Sequence, residues 1–179
     1  YTLLDAKTGK FIWNTLIGPG GDQGGMEWGT AFDGQRIYVS ITNQHHIPYE
    51  LTQNGVISNT STTGGSWAAL DPLTGQPKWR MPLTDHPVWS AIMTTGGGLL
   101  FTGKETGEFI ALDIDDGKQV WQFQTGSGIN AQPITYTHNG KQYVSILSGI
   151  GGLWWNIARE QLKDKVPQGG SVWTFALID

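Results

Sequence analysis

The chain has 179 residues, 26 of them glycine, a formal net charge of −4, and a charged share of 15% against a usual value of roughly 25%. With no basic run, this balance argues against a nucleic-acid partner and against electrostatic adhesion to an anionic membrane. The lack of cysteine removes disulfides, thiolate catalysis, cysteine-type zinc sites and covalent haem from this stretch, and no apolar run approaches the ~18 residues of a membrane helix.

The chain opens on a repeat. Leu3, Asp5, Gly9 and Trp13 vary by one residue a pattern, Ala-x-Asp-x-x-x-Gly-x-x-x-Trp, that recurs at Ala69, Asp71, Gly75, Trp79 and, 42 residues later, at Ala111, Asp113, Gly117, Trp121. That period is the length of a four-stranded propeller blade. The spacing predicts a strand, an Asp/Gly turn and a second strand carrying the Trp. The Asp is expected to accept bonds from turn N–H groups, and the small Ala to leave room for an indole of the neighbouring blade, so that each blade needs the next. Trp13, Trp79 and Trp121 read as architectural. Tyr1-Thr-Leu-Leu-Asp5 has no basic n-region, so any signal peptide is expected upstream of Tyr1.

Next comes Gly18-Pro-Gly-Gly-Asp-Gln-Gly-Gly25, which lacks a following Lys-Ser/Thr and so reads as a flexible loop near a ligand mouth and not as a phosphate cradle. The Asp33-Gly34 turn leads into a strand over 36–41. Trp13 and Trp79 are 66 residues apart, 24 more than the 42-residue period, which predicts an insertion over about 42–65. Long insertions in propellers usually cover or build a ligand mouth. Within it, His45 and His46 are adjacent, point to different sides of extended chain and have no third ligand at familiar spacing. Asn59-Thr-Ser61 fits a short glycosylation sequon.

Strands follow over 99–102, 109–113 and 119–123. Asp113-Ile-Asp-Asp-Gly117 departs from a calcium loop, because its Gly comes one residue early and Gln124 stands at the place of the terminal Glu, so it reads as a hairpin turn. Strands over 134–137 and 142–147 flank Asn139-Gly140, turn chemistry suited to positive φ. A short helix over about 154–165 and a closing strand over 171–177 complete the chain. The expected class is all-β, an open arc of propeller blades amounting to roughly half a ring.

Several segments together resemble the C-terminal part of pyrroloquinoline-quinone (PQQ)-dependent alcohol dehydrogenases. They are Pro87-Val-Trp-Ser90, residues 94–101, Gly126-Ser-Gly-Ile129, Pro133-Ile-Thr-Tyr136, the run from Gly140 to Gly152, and Gly169-Gly-Ser-Val-Trp-Thr-Phe-Ala-Leu177. The resemblance covers nearly the whole chain and includes the tryptophan-docking repeat. It implies an eight-bladed propeller in the periplasm, with the quinone near the ring axis beside a Ca²⁺ or lanthanide ion that acts as a Lewis acid. An alcohol, small, diol or polymeric, is then oxidised to an aldehyde or ketone, with a cytochrome c or similar electron acceptor.

The family's metal ligands, catalytic Asp and quinone-contacting Lys or Arg precede the matched part, so catalytic residues are expected upstream of Tyr1, in the N-terminal half that completes the ring. What the resemblance assigns to this chain is one wall of the cofactor site. Trp28 and Trp89 fall where an indole N–H donates to a quinone carboxylate while the ring excludes water, with burial between blades as the alternative. Glu27 stands where relatives often have Asn. A carboxylate there is repelled by the anionic cofactor unless protonated or paired, and its other reading is a bond to neighbouring loop N–H groups. Gly152 or Leu153 is expected to offer backbone contact, against a tight structural loop. Segments 24–34 and 63–71 look closer to the polymeric-alcohol branch than to methanol enzymes. The competing class is a non-catalytic propeller with the same repeat, a protein-interaction scaffold, which has no need of Pro87-Val-Trp-Ser90 or Gly149-Ile-Gly-Gly152.

Overall fold

The structure, a computed structural model, describes residues 1–20, 24–53, 55–58, 62–83 and 86–177, which leaves the Asn59 sequon outside the described residues. Its strands form successive antiparallel sheets. The first is a pair, β1 (Thr2–Leu4) and β2 (Phe11–Asn14). In the second, β3 (Gly24–Gly25) and β4 (Ala31–Phe32) lie one after the other along the same edge of β5 (Ile37–Asn43), β3 against Thr42 and Asn43 and β4 against Ile37 and Tyr38. The chain then leaves the sheet as a hairpin, β6 (Tyr49–Thr52) and β7 (Gly55–Ser58), and returns as β8 (Ser66–Leu70) and β9 (Pro77–Pro82).

The third sheet has the plain blade order β10 (Met93–Thr94), β11 (Leu99–Gly103), β12 (Glu108–Asp113), β13 (Gln119–Gln124). The last is β14 (Ile134–His138), β15 (Lys141–Ser148) and β16 (Ser171–Ala176), with helix α1 (Gly152–Leu162) inserted between β15 and β16. First strands of adjacent blades, β4 and β10, lie against one another.

Antiparallel alternation sorts the connections onto two ends. First-to-second and third-to-fourth strand turns share one end, the turn end; second-to-third connections and the links between blades share the other, the loop end. Both excursions, the β6–β7 hairpin and α1, leave from second-to-third connections and therefore sit at the loop end. The insertion occupies 44–65 and not 42–65, because Thr42 and Asn43 stay in the ladder opposite β3 and are buried. The helix begins two residues ahead of the expected 154, after Gly151 in extended backbone and Gly152 at φ +54.

At the turn end the repeat behaves as its chemistry demands. Asp5 accepts from Lys7 and Thr8 N–H, Asp71 from Leu73 and Thr74 N–H, and Asp113 from Asp115 N–H. The Trp13 indole donates to Pro72 O at 3.1 Å and lies on Gly75, where a Cβ would come within 2.5 Å of its ring; Trp79 donates to Ile114 O at 2.8 Å and lies on Gly117. The indole of one repeat thus rests on the glycine of the next. This corrects the expected role of the alanine: Ala69 and Ala111 stand opposite Trp79 and Trp121 of their own sheets, and the room for the neighbour's indole comes from the glycine. Trp121 packs instead edge-on against Phe109 and Phe175 of the last two sheets. Asn139 and Gly140 take φ of +50 and +76, and Asp113 to Gly117 is a tight turn, both as the sequence predicts.

Candidate functional site at the loop end

The loop end is built from links between blades. The innermost edge of the second sheet is broken between β3 and β4, and the excluded residues carry Glu27 and Trp28 out of the ladder. The next link, residues 83–92, carries Trp89. Thr63-Gly64-Gly65, the end of the insertion, grips this link: Gly64 N–H donates to Leu83 O, Leu83 N–H to Gly65 O, and Gly65 N–H to His86 O at 2.6 Å. Both glycines are required by space, since a Cβ would lie 2.6 Å from Leu83 O at Gly64 and 2.3 Å from Ile41 O at Gly65. On the far side, Ser90 Oγ donates to Ala131 O at 2.7 Å.

Helix α1 covers this link. Trp89 is fully buried against Ile150, Ala158, Leu162 and Val166, with Trp154 and Trp155 packed on the cluster. Trp154 stands between the two expected tryptophans, 5.3 Å from Trp89 and 5.9 Å from Trp28 between ring centroids. Trp28 is 36% exposed, so its indole is not buried between blades, whereas Trp89 is fully buried. Trp89 Nε1 is buried and has no hydrogen-bond partner among the described residues. An unpaired buried N–H is costly unless something meets it, and Trp67 Nε1 and Trp173 Nε1 share this state among the described residues.

Glu27 is exposed, and among the described residues its carboxylate has no hydrogen bond or ion pair, so the reading in which it bonds to loop N–H groups is not what the structure holds. Partial desolvation raises its pKa, toward the neutral form that tolerates an anionic neighbour. Gly152 and Leu153 are exposed in the first turn of α1. This turn has no side-chain cap and no acidic residue, and the helical ladder begins at Trp155 N–H to Gly151 O. The N–H groups of Gly152, Leu153 and Trp154 therefore have no acceptor within the helix, and the helix dipole favours negative charge there. A groove of about 600 Å³ opens beside this turn, lined in part by Asn130, Gly149, Gly151 and Gly170.

One pair at this end escapes sequence reasoning. His86 Nδ1 and Glu105 Oε1 lie 2.9 Å apart, joining the Trp89 link to the second-to-third strand turn of the next blade. Glu105 is 2% exposed, and its other oxygen is buried without a hydrogen-bond partner among the described residues. Burial raises its pKa, with the His86 bond opposing. Residues 19 apart on different blades leave no local pattern to read. His45 is exposed and His46 takes φ +51, and among the described residues no three His, Cys, Asp or Glu side chains gather.

Residues 81–144 match the family described as glucose/ethanol/alcohol dehydrogenase, β-propeller domain, the PQQ family. The blades are similar to those of PQQ-type dehydrogenase propellers. The chain is 42% identical over 94% of its length to the quinoprotein alcohol dehydrogenase PedH of Pseudomonas putida, and 42% identical over 63% of its length to a quinoprotein ethanol dehydrogenase of Pseudomonas aeruginosa. It spans 24% and 18% of those proteins, about a quarter or less. Among solved structures, a europium-containing methanol dehydrogenase superimposes with a TM-score of 0.59 at 29% identity, covering 80% of this chain and 30% of that one. Both the alcohol dehydrogenase resemblance and the propeller class therefore stand.

Proposed function

We infer that this chain is the C-terminal part of a periplasmic, PQQ-dependent alcohol dehydrogenase and supplies one wall of its quinone site. The observation that carries the reading is Trp89 Nε1, buried and without a hydrogen-bond partner among the described residues, set in the link that also resembles the family segment. Its N–H is free to donate to a quinone carboxylate, and its ring, backed by Trp154 and α1, keeps water from that side.

The other wall residues fit the same anionic, planar ligand. Trp28 closes the mouth, the open N–H groups at Gly152 and Leu153 favour negative charge, and Glu27 sits in surroundings that ease its protonation. Held by these residues, a bound quinone would supply the hydride acceptor for alcohol oxidation. This chain's residues bind, orient and screen it; the base that takes the alcohol proton and the ligands of a Ca²⁺ or lanthanide ion are assigned to sequence before Tyr1, and a cytochrome c serves as acceptor. The isolated 179 residues are expected neither to oxidise alcohols nor to retain the quinone.

The test is quinone titration of the complete apo-protein. Trp89→Phe keeps the ring and removes the donor, and is expected to weaken quinone binding about tenfold or more, the loss typical of a hydrogen bond to a charged group. Parental affinity in that variant overturns the assignment. A complete protein that binds no quinone at all returns the chain to the scaffold class.

A further inference from the structure

Resting on that reading of Trp89, we propose that His86 and Glu105 are positioning residues of the cofactor wall: their hydrogen bond across the blade boundary sets where the 83–92 link holds the Trp89 indole. The link is fastened to its own blade through Gly64, Gly65 and Thr42, whose hydroxyl donates to Val88 O. Those bonds fix it on one side. Three residues before Trp89, His86 reaches the other way and meets a carboxylate that belongs to the next blade's turn. The indole therefore sits on a segment bridged between two blades, and movement of either blade is transmitted to its N–H.

Glu105 is poorly explained as a stabilising residue. One oxygen meets His86, while among the described residues the other is buried with no side-chain partner, and a buried carboxylate held only by His86 and its own backbone N–H costs more than an apolar side chain of similar size. The surrounding backbone nonetheless gives it a fixed place: a Cβ at Gly128 would meet Glu105 O at 2.4 Å, and Ile129 N–H donates to Lys104 O at 3.0 Å. The turn is thus locked to the following link, and the side chain projects from a rigid base toward the segment that carries Trp89. A group that costs stability and bridges rigid parts to a cofactor-facing donor suits alignment better than cohesion.

The experiment compares Glu105→Met, Glu105→Gln, His86→Leu and Trp89→Phe in the complete apo-protein, by quinone titration followed through indole fluorescence, together with the thermal midpoint. Glu105→Gln keeps an oxygen for the imidazole N–H and is expected to bind within about twofold of the parent, whereas Glu105→Met and His86→Leu each weaken binding about tenfold. Glu105→Met is expected to hold or raise the thermal midpoint, which a merely structural role does not allow. Parental affinity in Glu105→Met or His86→Leu overturns the proposal while Trp89→Phe still reports the wall; parental affinity in Trp89→Phe overturns the wall itself. If Glu105→Met fails to fold, the role is structural and the proposal falls.

Discussion

The two ends of the same blades obey different rules. At the turn end, carboxylates are saturated with donors: Thr8 holds Asp5 below its ordinary value, and the Lys78 ammonium with the Leu73 and Thr74 N–H groups holds Asp71 down at about 2. At the loop end, burial pushes Glu27 and Glu105 upward, and Gln44 Oε1, Trp89 Nε1, Thr102 Oγ1 and Glu105 Oε2 are buried with no partner among the described residues, a state that Trp67 Nε1 and Trp173 Nε1 share on strands β8 and β16. The contrast separates cohesion from binding. One end is arranged so that every repeat satisfies its neighbour, and the other holds donors and acceptors that protein alone leaves unmet.

The largest effect is expected where cohesion is tightest. At Gly75 a side chain meets both a positive φ of +72 and the Trp13 ring, so Gly75→Val should cost about 3 kcal/mol, read as a lower denaturation midpoint of the complete protein. Quinone affinity of whatever remains folded should be unchanged, because the substitution lies at the turn end; a selective loss of affinity breaks the division of labour.

Acidity should separate the ends in sign. Asp71 has a depressed native pKa, so its contribution to stability is present above ~3.9 and is lost as pH falls through about 2. Glu105 has a raised one: the native state keeps its proton above 4.5, and the contribution declines as pH rises from 4.5 through the native value. In denaturation midpoints measured across acidic pH, Asp71→Asn should flatten the lower window and Glu105→Gln the upper. A shared window for the two variants contradicts the assignment of opposite surroundings.

The smallest effect concerns the ion pair that joins blades across the turn end, Arg36 to Asp115 at 2.5 Å. Asp115 is exposed, so Asp115→Ala should move stability by less than about 0.5 kcal/mol. A larger loss would mean that surface charge, and not the seating of indole on glycine, joins these blades.

The difference between the ends also explains what could be read in advance. Asp71, Gly75 and Trp79 act through local geometry, a turn that only Asp and Gly complete and a strand that carries the Trp onward, so spacing alone revealed the blade and its class. The two excursions were visible as breaks in that rhythm, with boundaries shifted by two residues where the Thr42–Asn43 ladder and the Gly151–Gly152 backbone took precedence. Trp28 and Trp89 were named through resemblance, and no periodicity distinguished them from core aromatics.

That the Trp89 N–H finds no partner among the described residues, that Trp154 links Trp28 to Trp89, and that His86 meets Glu105 were decided by the stacking of one blade on the next. The sequence by itself determined the repeating unit, because its turn and strand chemistry is satisfied within about a dozen residues. Tertiary structure decided the site, because its groups come from links on different blades and meet only when burial forces them to share a space that water has left.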